Sequence, residues 1–146
     1  MTWRQDIKNW LVSNAGKVWY QWGGQDLYAE IADCSGLVIE LLKRAGKLPV
    51  GFDATAQGLA NRYPETLAPE CGDLVVYGTS SNGITHVMIY VGTLDVGSIH
   101  WTECCAGMVG GGKDTTADIG RLVGAGLFFR PRYDYRRDFQ SFRRID

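Results

Sequence analysis

No run of the sequence approaches the roughly 18 consecutive apolar residues that a membrane span needs. The stretch Met1 to Trp10 is charged and has no apolar h-region, so no secretory signal is expected there. Net charge is only -1, which removes the electrostatic case for nucleic acid as a partner. The one local imbalance lies between Arg130 and Asp146, where six Arg face three Asp. That segment reads as a solvated tail, with a patch for an anionic polymer as the sharper alternative. Cysteines are few, at positions 34, 71, 104 and 105, with no CxxC pair. Adjacent Cys104 and Cys105 are poorly spaced for zinc, so no metal site is expected. A chain of 146 residues can bury a core without disulfides, and reduced thiols are the expectation. Internal repeats are absent, and so is any composition break that would mark a second domain. Residues 1–146 therefore read as one domain, with 133–146 as a C-terminal tail.

Glycine is plentiful at 19 residues, which points to many turns and short strands. Thr2 to Ala15 has Trp3, Ile7, Trp10 and Leu11 on one helical face, with Thr2 as N-cap and Gly16 as stop. Trp19 to Asp33 reads as a loop broken by Gly23-Gly24. A second helix is expected from Cys34 or Ser35 to Ala45, burying Leu37, Val38, Leu41 and Leu42. A weaker one spans Ala54 to Arg62, interrupted by Gly58. Beyond Pro69, β-branched and aromatic runs at 73–77, 86–91, 99–102 and 127–132 read as antiparallel strands. Residues 107–126 hold seven Gly and read as a long loop with strand fragments. Helices first and strands second indicate an α+β fold.

Two motifs carry chemistry. Asp33-Cys34-Ser35-Gly36 leads directly into the second helix. A helix N-terminus favours a thiolate through its dipole and unpaired N–H groups, and those donors can also hold an oxyanion. Small Ser35 and Gly36 leave room for a substrate backbone. The bland alternative is a buried Cys above an apolar helix face. His86 opens the run His86-Val87-Met88-Ile89-Tyr90-Val91-Gly92, where a strand-start imidazole could take the thiol proton. Helix-borne Cys and sheet-borne His form a papain-like arrangement, which uses a third polar group to orient the ring.

Tyr20-Gln21-Trp22-Gly23-Gly24, Asp33-Cys34-Ser35-Gly36, Gly72-Asp73-Leu74-Val75 and His86-Val87-Met88-Ile89-Tyr90-Val91-Gly92 resemble, in order and spacing, the successive blocks of the NlpC-type cell-wall peptidases. The resemblance covers about Asp6 to Trp101. It implies a papain-like fold with N-terminal helices on a central antiparallel sheet. By its pattern Cys34 is the nucleophile and His86 the base. His100, on the following strand, is the orienting residue, with Glu103 as fallback. Tyr20 resembles the tyrosine that polarises the substrate carbonyl. Asp33 and Ser35 fall at substrate-groove positions, Asp33 also as an N-cap, and Trp22 and Trp101 are expected to line the groove unless they pack in the core. The implied reaction is hydrolysis of an amide in peptidoglycan stem peptides, between γ-D-glutamyl and the diamino acid, without cofactor. The alternatives are an N-acetylmuramoyl-L-alanine amidase and a catalytically silent tail or wall-binding protein. With no signal visible, the expectation is cytoplasmic synthesis and action at the wall, delivered by phage lysis, a virion or a secretion machine. Met88 stands where the family commonly has a small residue, Cys71 where it often has Pro, and residues 25–32 and the Gly-rich 107–112 segment depart from the family pattern.

Overall fold

The computed structural model describes residues 2–146; of the N-terminal stretch read above, only Met1 lies outside it. Helix α1 spans Trp3–Asn14, with the Thr2 side chain accepting the Gln5 N–H as its cap, and it buries Ile7 and Leu11. Three two-residue strands follow within the expected loop: β1 (Trp19–Tyr20), β2 (Gln25–Asp26) and β3 (Ile31–Ala32). Helix α2 (Cys34–Arg44) starts at its Asp33 cap and buries Leu37, Val38, Leu41 and Leu42 as its periodicity predicts. Each such side chain contributes on the order of 1.5–3 kcal/mol on burial. Helix α3 (Ala56–Arg62) begins two residues later than its composition suggests, because Thr55 caps it.

Strand β4 (Glu65–Thr66) leads to the sheet proper: β5 (Leu74–Gly78), β6 (Ile84–Val96) and β7 (Ile99–Val109). Helix α4 (Ala117–Val123), β8 (Gly126–Arg130) and β9 (Phe139–Arg143) complete the chain. Nine strands form one sheet in the order β2-β3-β1-β8-β7-β6-β5-β9-β4, antiparallel throughout except for the β1–β3 pair. The architecture is α+β.

The two sheet faces have different covers. Leu74, Val76, Val87 and Ile89 join the main core with α2, whereas Val75, Tyr77, Met88 and Cys105 lie under Tyr133, Tyr135, Phe139 and Phe142. The register pairs Val76 with Val87 and Tyr77 with His86, so the His86 side chain belongs to the second face.

Three expectations are corrected. Residues 133–146 are not a solvated tail: β9 is inserted between β5 and β4, and Ile145 is buried in the main core. Three of its four arginines are tied down, Arg136 on Asp138, Arg143 on Glu65 and Arg144 on Asp73 and Glu70, so these three do not form a free anion-binding patch. Residues 107–126 are not a long loop, since β7 runs on to Val109 and α4 follows. The β6–β7 hairpin is also far longer than its β-branched runs suggest, with its tip at Val96–Ile99.

Candidate active site

Asp33 builds the local frame of the first motif. One carboxylate oxygen accepts the Gly36 N–H at 2.7 Å and the Ser35 hydroxyl at 3.3 Å, and the other accepts the Gly23 N–H at 3.1 Å. Gly24 closes the same turn: its carbonyl accepts the Asp33 N–H, and a Cβ on Gly36 would lie 2.1 Å from that oxygen. Gly36 thus gives way to Gly24 rather than to a substrate. The result presents Cys34 at the first turn of α2, on the floor of a cleft of about 580 Å³. Tyr20, Trp22, Asp33, Ser35, Asp53 and Thr85 are among the residues that line it.

Strand β6 supplies the other half. Tyr90 exchanges backbone hydrogen bonds with the β5 side, so every second residue before it turns the same way and Val87 turns its N–H toward β7. The β6–β7 register runs to Ile89 and Ala106, two residues from Val87. The N–H groups of Val87, Ser35 and Cys34 itself act on the Cys34 sulfur. The sulfur therefore lies against the peptide that joins His86 to Val87. Burial pushes the Cys34 thiol up from its ordinary value, the Val87, Ser35 and Cys34 N–H groups oppose this, and the Asp33 carboxylate adds to it.

The His86 ring lies on the second face of the sheet, beside Tyr77. It packs on Tyr77 with centroids 5.3 Å apart, and its Nε2 is 3.2 Å from the Tyr135 hydroxyl. Nδ1 is thereby the nitrogen left for the thiol. No direct Cys34–His86 hydrogen bond forms among the described residues. Burial pushes the imidazole down to about 4; the Arg136 guanidinium acts in the same direction and the Asp138 carboxylate against it. Raised thiol and lowered imidazole together favour the neutral form of both groups near pH 7.

Tyr20 is buried on the cleft wall, with its ring against Gly111, where a Cβ would be 2.1 Å from the ring. Burial first, then the proximity of Cys34 and Asp33, hold its hydroxyl well above the usual phenol range, so it stays a donor. Trp22 is exposed at the cleft mouth.

His100 and Trp101 are elsewhere. His100 is exposed and paired with Asp95 near the hairpin tip, nine residues along β6 from His86. At about 3.3 Å per residue that is on the order of 30 Å of strand. It does not orient His86, because the lengthened hairpin carries it away. Trp101 pairs with Leu94 on the same arm and packs on the core, not in the cleft. Glu103 is bound to Arg132 and does not reach His86 either. The group on the imidazole is Tyr135, which sequence reasoning assigned to the tail. Four aromatics among Tyr133, Tyr135, Phe139 and Phe142 were the available signal, too much apolar surface for a solvated segment.

The model of the NlpC/P60 family matches residues 16–102, more than half of the chain and the part that holds Tyr20, Cys34 and His86. A search of curated proteins gave no match.

Proposed function

Since the chain belongs to the NlpC/P60 family, whose members are in general cysteine peptidases and hydrolases of peptidoglycan, we propose that it cleaves an amide of a stem peptide by a Cys34–His86 acyl-enzyme mechanism. The observation that carries the proposal is the position of Cys34 on the cleft floor, at a helix N-terminus and against the His86–Val87 peptide. In the first step the Cys34 sulfur bonds to the substrate carbonyl carbon as its proton passes to His86 Nδ1. The oxyanion is met by N–H groups at the start of α2 and by the Tyr20 hydroxyl. Collapse breaks the C–N bond, and His86 returns the proton to the leaving amine. Water then attacks the thioester, giving a proton to His86, and the carbon–sulfur bond breaks to restore the thiol.

The bond we propose joins γ-D-glutamate to the diamino acid. Charge in the cleft supports a substrate with a free amine, because Asp33 and Asp53 line it without any Lys or Arg. Asp33 already accepts three hydrogen bonds, whereas exposed Asp53 accepts only its neighbour's N–H. Asp53 is thus the freer carboxylate for an ammonium group. Digestion of purified sacculi, followed by mass spectrometry, tests the assignment. New free amines on the diamino acid are expected. New L-alanine amines instead favour the amidase alternative, and release of nothing at all favours a silent wall-binding protein.

A further inference from the structure

We propose that Tyr135 is the positioning residue of the pair, its hydroxyl accepting the Nε2 proton of His86 and so holding Nδ1 unprotonated toward Cys34. The inference rests on the Cys34–His86 reading and extends it to a segment outside the residues that the family model matches. Its basis is the hydrogen bond of 3.2 Å between Tyr135 Oη and His86 Nε2, together with what fixes the phenol. Tyr135 meets Tyr77 edge-on at 5.6 Å, and Tyr77 in turn donates its hydroxyl proton to the Tyr133 carbonyl. The hook 133–138 is therefore clamped to β5 at two points. Arg136 is held by a two-pronged ion pair with Asp138, at 2.9 and 2.7 Å. The same guanidinium stacks 5.5 Å over Tyr77.

A phenol oxygen has two lone pairs. One of them can accept from the imidazole, 3.2 Å away. With Nε2–H donating into it, Nδ1 carries the lone pair that a general base needs. The groups facing His86 are thus Tyr77 from β5 and Tyr135, Arg136 and Asp138 from the hook. His100, the other histidine, has no part in it.

Two histidines make the tautomer directly readable by nitrogen-15 NMR. The wild-type protein near pH 7 is expected to show His86 as the Nε2–H form. An Nδ1–H form overturns the proposal without any variant. Tyr135→Phe keeps the ring and removes the acceptor. It should lose the tautomer preference and lower kcat on the order of 10-fold or more with KM little changed. Wild-type kcat and an unchanged His86 spectrum in Tyr135→Phe overturn the positioning role. Activity surviving in both Cys34→Ala and His86→Ala instead overturns the underlying mechanism. The two failures are therefore distinguishable.

Discussion

The identity of Cys34 alone says little, since a cysteine above an apolar helix face packs as readily as it reacts. Its role became readable through the short polar motif around it and through His86, both of which are local in sequence. Gly36 was read as room for a substrate backbone, but the atom that excludes a side chain there belongs to Gly24, twelve positions earlier. Gly36→Ala should therefore destabilise the fold by about 1–3 kcal/mol or more, as overpacking against rigid backbone does; thermal unfolding measures it. Met88 departs from the family pattern, and the compensation lies across the strand, where Gly107 leaves the room that its sulfur fills. No single-residue argument could anticipate that exchange. His100 was chosen because it was the remaining histidine, and its distance along the hairpin now gives a sharp expectation. His100→Ala should retain activity within about twofold, since exposed positions away from the site are energetically quiet. Asp53→Asn should raise KM for an amine-bearing muropeptide and leave it nearly unchanged for an N-acetylated one. Equal KM changes on both would remove Asp53 from substrate recognition.

At the scale of elements, α1 and α2 were legible because their apolar periodicity and caps agree, and helices depend chiefly on such local patterns. The length of β6 and β7 was not, since a hairpin can extend through polar, exposed residues wherever its partner strand continues. The hook 133–138 and β9 were hidden for a related reason: their stability comes from aromatic contacts with a distant strand, and their arginines suggested solvent. Their position beside His86 has a consequence for pH. An imidazole titrating at about 4 rather than near 6.5 stays neutral, and competent as a base, through mildly acidic conditions. The acid limb of kcat should thus fall as pH drops through about 4. Arg136→Gln removes one cause of the depression and should move that limb upward. The same shift links to stability, because below about 6.5 the unfolded imidazole binds a proton that the folded one refuses. His86 therefore contributes a loss of stability as pH falls from that value toward 4, which urea titrations at several pH values can follow. An acid limb near 6.5, unchanged in Arg136→Gln, would show that the hook does not govern His86.

For the molecule as a whole, the fold class followed from the order of helices and strands, while the closure of the chain on itself did not. Buried Asp73 makes that closure. It accepts from Arg4 of α1 at 2.9 Å, from Arg144 at 2.9 Å, and from the N–H groups of Ile145 and Glu70. One carboxylate thus ties both ends of the chain to the start of β5. Asp73→Asn takes the buried carboxylate from two guanidinium groups, leaving them only exposed Glu70, and should cost about 3–5 kcal/mol, the range for breaking a buried pair. Deleting residues 139–146 should abolish cooperative unfolding, since β5 would lose its β9 neighbour and the core would lose Ile145. These long-range ties hold β5, the strand that pairs with the His86 strand β6, so the site is a product of the whole chain. Its central claim is nonetheless a claim about one sulfur atom. The most direct measurement is release of soluble muropeptides from purified sacculi by wild type and by Cys34→Ala, at equal concentration and with folding checked by circular dichroism. Release by the wild type and none above background by the folded variant is the predicted result; equal release by both would contradict the account.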